Sequence, residues 1–138
     1  MSELVRFSLS MKRSLLERLE KMTRARKYAN RSEFVRDMIR DALVAEEWDA
    51  DEEVVGTATL LYNHHARRLS ERLTDLQHHH HHVVLATTHV HLSEHLCMEA
   101  VLMKGRASEI KGVADLLRQQ KGVLHLVLSM SSSGDKLA

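Results

Sequence analysis

"VVLATTHVHLSEHLCMEAVLMKG", residues 83–105, holds two largely apolar runs parted by a short polar connection. Residues 83–92 and 97–105 each read as a strand, the second closed by Gly105. On the N-terminal side, "VVGTATLLY" (54–62) reads as a strand. "HHARRLSERLTDLQ" (64–77) reads as a helix with Leu69, Leu73 and Leu76 on one face. On the C-terminal side, "RASEIKGVADLLRQQKG" (106–122) reads as a helix and "VLHLVLSM" (123–130) as a strand. The order is βαββαβ, the ferredoxin-like split βαβ arrangement. The polar "SSSGDKLA", residues 131–138, is expected to be a disordered tail.

The first third of the chain follows a different pattern. "LVRFSLSM" (4–11) alternates, with Val5, Phe7, Leu9 and Met11 on one side and Arg6, Ser8 and Ser10 on the other. That is a half-buried strand with a polar face. "KRSLLERLEKMTRARK" (12–27) places Leu15, Leu16, Leu19 and Met22 at helical spacing. Asn30 can cap a second helix, with Glu33 three residues on and an apolar stripe from Phe34 to Leu43. This strand–helix–helix unit has little surface to bury alone, and its strand has no partner within it. Two chains pairing their strands into one antiparallel ribbon would solve both problems. The alternative is that the strand pairs with the second domain. The acidic "EEWDADEE" either ends the second helix or links it onward, so the expected layout is 1–48, a linker at 49–53, and 54–130.

Charge and cysteine usage narrow the function classes. Residues 1–44 carry eleven Lys and Arg against six Asp and Glu, a basic surplus that suits an anionic partner such as nucleic acid. A single cysteine cannot form an intramolecular disulfide. No signal peptide opens the chain and no apolar run is long enough to span a membrane, so a cytoplasmic location is expected. No nucleophile–base pairing or phosphate loop points to an enzyme.

Donor chemistry concentrates in "QHHHHHVVLATTHVHLSEHLC" (77–97), with eight of the eleven histidines and the cysteine. The five-histidine run lies mid-chain between a helix and a strand, where a purification tag does not belong. His89 and His91 are two apart on a strand, so both leave the same face, about 7 Å apart. Cys97 can return a thiolate to the same place, and His78 at the end of the preceding helix could complete a His₃Cys set. Tetrahedral ligation would suit zinc, and a square-planar set would suit Ni(II) or Cu(II). At the basic end, a ribbon carrying Arg6, Ser8 and Ser10 fits a DNA major groove, with Ser32 and Arg36 near a helix N-terminus for phosphate.

Two resemblances sharpen these readings. "VRFSLSMKRSLLERLEKM" with "YANRSEFVRDMIRDAL" resembles the ribbon–helix–helix family of dimeric DNA-binding proteins. "QHHHHHVVLATTHVHLSEHLCMEAVLMKG" resembles the metal site of nickel-responsive transcriptional regulators (NikR), and that likeness runs from about Val5 to Met130. It implies an α+β chain, an intertwined ribbon–helix–helix domain joined to an ACT-like βαββαβ domain, assembled as a homotetramer of two dimers. It also implies one square-planar Ni(II) per chain, held by His89, His91 and Cys97 with His78 from a neighbouring subunit. Glu99 matches a carboxylate that orients a ligand histidine. Arg6, Ser8 and Ser10 fall where the family reads bases, and Glu33 and Asp37 where it has a second-cation site between domains. The family's basic pair appears here as Ala66-Arg67, followed by Arg68; the departure at Ala66 takes away one expected metal-domain contact to DNA, for which Arg68 can compensate, and Arg67 is kept as a phosphate contact.

The implied function is a nickel-dependent repressor of nickel uptake genes, bound to a double-stranded operator with two half-sites. The rivals are a copper- or zinc-responsive regulator of the same architecture and a nickel storage protein. For His79 to His82, His64, His65 and His95, solvated helix-end histidines or weak accessory metal sites are the expectation.

Overall fold

The computed structural model describes residues 3–138 and divides at Asp41/Ala42 into two compact units. In the first, α1 spans Arg13–Ala25, and α2 begins at Arg31. Lys27, with φ of 60°, and the two residues after it end one helix before the next begins. Asn30 caps α2 as its sequence predicts: its Oδ1 accepts the Glu33 backbone N–H at 2.9 Å. The Glu33 carboxylate pairs with Arg36. Phe34 is buried, with the Tyr28 ring 5.0 Å from its own and the Arg26 guanidinium over its face.

The strand expected over residues 4–11 does not form within one chain. Residues 3–12 take up no regular structure, and Val5, Phe7 and Leu9 are 73%, 73% and 66% exposed. The physical reason is the one the sequence raised. A strand holds its shape by hydrogen bonds to a neighbour, and this unit contains no second strand among the described residues.

The second unit holds the end of α2, which stops at Asp49, and the βαββαβ succession. Its elements are β1 (Glu53–Asn63), α3 (Leu69–His79), β2 (Val84–His91), β3 (Leu96–Arg106), α4 (Ala107–Arg118) and β4 (Val123–Ser131). They build one four-stranded sheet in the order β2-β3-β1-β4 with every pair antiparallel. Val54, Ala58, Leu60 and Tyr62 of β1 alternate onto the buried face with Val101 and Met103 of β3. Leu69 and Leu73 of α3 join Ile110, Val113 and Leu117 of α4 in the same core.

Two details place the site. Trp48 also lies in this core, its indole N–H donating to the Ser131 carbonyl at 2.8 Å. A Cβ on Gly56 would come within 3.1 Å of that indole, so the sheet is kept bare where the ring crosses it. In addition, α3 starts five residues later than the helix read at 64–77. Asn63 Oδ1 accepts the His65 backbone N–H at 2.9 Å, an Asx turn, and Arg68 sits at φ of 57°. These residues turn the chain before the helix begins.

Candidate metal centre

The sheet register brings the sequence's donors together in two cross-strand rows. His91 of β2 pairs with Cys97 of β3, which pairs with Tyr62 of β1. Two residues along each strand, His89 pairs with Glu99, which pairs with Leu60. Because alternate residues share a face, His89, His91, Cys97 and Glu99 all leave the same side of the sheet. Cys97 and Glu99 are buried, while His89 and His91, on an edge strand, reach solvent.

Cys97 Sγ lies 3.4 Å from His91 Nδ1, and the His89 and His91 rings are 4.8 Å apart between centroids. His89 turns its Nδ1 toward Glu99 Oε1 at 3.3 Å and toward the Tyr62 hydroxyl at 3.0 Å. That leaves Nε2 as the free ligating atom, the carboxylate–histidine arrangement common behind metal ligands. Tyr62 donates to Glu99 Oε1 at 3.4 Å. Burial, reinforced by the charges of Glu99 and Cys97, pushes the Tyr62 pKa up to about 12, so the hydroxyl stays a donor.

The remaining Glu99 oxygen accepts from Gln77 Nε2 at 3.3 Å, and Gln77 Oε1 accepts from Thr87. Gln77 directly precedes His78, which is exposed in the last turn of α3. The following histidines have local partners. His79 and His80 face the Asp75 and Leu76 carbonyls of their own helix at 2.7 and 2.8 Å, and His82 lies 3.6 Å from Glu109.

His64, expected as a solvated helix-end histidine or a weak accessory donor, stands beside the thiol instead of on a helix. Among the described residues, the donor group closing to within 4.8 Å is His64, His91 and Cys97, which includes neither His78 nor His89. His64 Nδ1 is 3.4 Å from Cys97 Sγ. The Asx turn after β1 carries His64 over the sulfur, and its backbone N–H donates to the His95 carbonyl at 2.7 Å. Reading 64–77 as helix hid this. Two imidazoles and a thiol, with a third imidazole beside them, form a soft-to-borderline set that fits Ni(II), Cu(II) or Zn(II).

The residues expected to meet DNA are on the surface: Arg6, Ser8, Ser10, Ser32, Arg36 and Arg67 are all exposed. Ala66, by contrast, is half-buried against the core. Of the two carboxylates with a possible cation role, Glu33 pairs with Arg36, and Asp37 accepts from the Tyr28 hydroxyl at 2.8 Å and from Arg40 at 2.9 Å. The hydrogen bond from Tyr28, then that from Arg40, holds the Asp37 carboxyl below its ordinary range.

Comparison with known proteins gives two family matches. Residues 55–131 match the NikR C-terminal nickel-binding domain, and residues 5–46 match the ribbon–helix–helix proteins of the copG family. Proteins described as "Putative nickel-responsive regulator" are similar over nearly their full length. Those from Geobacter metallireducens and Geotalea uraniireducens are 47% and 46% identical, with 99% of both chains covered in each case. One from Pyrococcus horikoshii is 43% identical, covering 98% of this chain and 99% of its own. A solved structure of an uncharacterized protein from Thermotoga maritima shares the fold of 57% of this chain and 98% of its own, with a TM-score of 0.51 and 15% identity.

Proposed function

The chain belongs to the nickel-responsive regulator family, and on that premise we propose that it is a DNA-binding repressor of nickel uptake genes, active when Ni(II) is bound. The observation that carries the reading is the row His91–Cys97 with His89 held from behind by Glu99. One Ni(II) per chain would be held square-planar by His89, His91 and Cys97, with His78 of a neighbouring subunit as the fourth ligand. The outward position of His78, outside the intrachain donor group, supports that assignment.

Residues 1–48 would serve as the DNA-binding domain and 54–130 as the metal-binding and assembly domain, in a cytoplasmic tetramer of two ribbon dimers. The exposed Val5, Phe7 and Leu9 supply the apolar face that pairing would bury, leaving Arg6, Ser8 and Ser10 for bases in each of two half-sites. Ser32, Arg36 and Arg67 would contact phosphate. A second cation at Glu33 and Asp37 would have to displace Arg36 and Arg40 as their partners. No helix among the described residues is long and apolar enough to cross a membrane.

A ligand donated across an interface makes metal affinity and assembly one linked equilibrium, so nickel favours the arrangement that reads DNA and DNA tightens nickel in return. The test is operator binding with a metal panel at fixed ionic strength, because phosphate contacts make affinity salt-dependent. Nickel should raise operator affinity. Unchanged affinity with every metal would sink the regulator reading, and a response to copper or zinc alone would transfer it to that ion.

A further inference from the structure

Arg72, in the first turn of α3, spends its guanidinium outside its own helix. Its Nη1 donates to the Arg67 carbonyl at 2.7 Å, its Nη2 to the Lys121 carbonyl at 2.7 Å, and its Nε to Gln120 Oε1 at 3.3 Å. We propose that Arg72 is a positioning residue for the phosphate contact at Arg67: it ties the turn before α3 to the turn between α4 and β4, and so fixes the backbone from which Arg67 projects. The phosphate role of Arg67 rests on the DNA-binding reading above, and the tie itself rests on hydrogen bonds within the second unit.

The two turns, residues 64–68 and 119–122, are fitted closely to one another. The Asn63 N–H donates to the Gly122 carbonyl at 3.2 Å, and Gly122 approaches Ala66 so nearly that a Cβ on it would stand 2.6 Å from the Ala66 Cβ. Arg68 takes a left-handed backbone, φ 57°, which is strained for a residue with a Cβ. Such a conformation persists only where its surroundings hold it. A planar guanidinium, with donors in a fixed fork, can hold two carbonyls and an amide oxygen at once. A lysine ammonium is a point of charge and cannot span them.

The consequence is affinity gained without contact. Ala66 carries no charge, so the cations this turn offers DNA are Arg67 and Arg68. Arg68 is shared with Glu71 at 3.0 Å, whereas no carboxylate among the described residues pairs with the exposed Arg67. A side chain on a loose turn must order that turn when it binds, and the cost is subtracted from affinity; a turn already tied avoids it. Arg72 therefore strengthens binding equally for every DNA sequence, because phosphate contacts carry no base information.

The experiment is a double-mutant cycle on the nickel-loaded full chain, titrated with DNA at a series of salt concentrations. The DNA is a duplex that the unaltered protein selects from a random-sequence pool, with a scrambled duplex of equal length beside it. Arg67→Ala, Arg72→Gln and Arg72→Lys should each weaken binding to both duplexes by a similar factor, roughly three- to tenfold, and lower the salt slope by about 1. Arg67→Ala combined with Arg72→Gln should bind no more weakly than Arg67→Ala alone, since Arg72 acts through Arg67. Arg72→Lys keeps the charge and loses the fork, so it should match Arg72→Gln. Amide exchange at residues 64–68 should quicken in both Arg72 variants and stay unchanged in Arg67→Ala, while thermal melting reports folding.

Additive losses in the double variant overturn the proposal, because Arg72 would then meet DNA by itself. Full binding by Arg72→Lys overturns it too, since charge alone would suffice. So does a matching fall in Ni(II) affinity measured without DNA, which would route the loss through the metal centre. If the unaltered protein selects no duplex, the DNA-binding reading fails instead, and amide exchange at 64–68 in the Arg72 variants still decides whether Arg72 holds the turn.

Discussion

Gln77 donates its side-chain N–H to Glu99 at 3.3 Å, tying the residue before His78 to the carboxylate that faces His89. Helix α3 and strand β2 thus meet at one buried charge, and Thr87 closes the circuit by donating to Gln77. Glu99→Gln should lower Ni(II) affinity roughly 10- to 100-fold without loss of the fold, as for other residues that orient metal ligands. Gln77→Ala should give a smaller loss of the same kind. Chelator competition reads both, and an unchanged affinity in Glu99→Gln would remove the carboxylate from the site.

DNA and metal functions should separate by mutation. Arg6→Ala is expected to cost about 1–3 kcal/mol of discrimination between operator and non-operator sequence. Nickel affinity should be unaffected. His80→Ala should change neither, since its ring faces a carbonyl of its own helix at 2.8 Å. Operator titrations at one salt concentration check the DNA statements, and chelator competition checks the nickel ones.

Gly122 has φ of +104°, and a Cβ there would stand 2.6 Å from the Ala66 Cβ and 2.9 Å from Leu69 Cδ2. Gly122→Ala therefore meets both a strained backbone and a clash with the turn that carries His64. A loss of about 1–3 kcal/mol in denaturant unfolding is expected from overpacking of this kind. An Ala variant as stable as the parent would show that the turn can yield.

Trp48 is the chain's one tryptophan, 3% exposed beneath the second unit's sheet. Trp48→Ala should destabilise that unit by about 3–5 kcal/mol through the cavity it leaves. In the unaltered protein its fluorescence should report unfolding of the second unit, so an emission change and loss of the sheet's circular dichroism should coincide.

Asp51 accepts the Ser108 backbone N–H at 2.7 Å in the first turn of α4. That backbone hydrogen bond, and then the Ser108 hydroxyl, hold its carboxyl below the ordinary 3.8. A carboxyl lowered in the folded state stabilises the fold above pH 3.8 and loses that contribution as pH falls through its folded value. Asn tolerates the left-handed backbone at this position, φ 55°, so Asp51→Asn isolates the charge. The stability difference between parent and variant should be constant near neutrality and shrink in acid, as measured by unfolding at a series of pH values.

The sequence was most legible where side-chain period and secondary structure agree. The run "VVGTATLLY" announced β1, whose residues then alternate in burial, and H-x-H on β2 announced two imidazoles on one face. Asn30 announced the start of α2. The turn at 64–68 was not legible, because "HHARR" joins a helical pattern without a break and only the Asn63 side chain and the left-handed Arg68 divert it. The approach of His64 to Cys97 was hidden with that turn. Glu99's link to Gln77 was equally hidden, since partners 22 residues apart meet only once α3 has been laid on the sheet. The strand at 4–11 shows the opposite case: the period is present, but a single copy lacks the hydrogen-bonding neighbour to realise it.

That unformed strand bears on dosage. If the base-reading ribbon exists only when two copies meet, its amount rises with the square of chain concentration at low abundance and linearly once pairing saturates. A cell could then quiet the regulator by making less of it, whatever the nickel level. Metal bound by scarce, unpaired chains would go unreported to the genome.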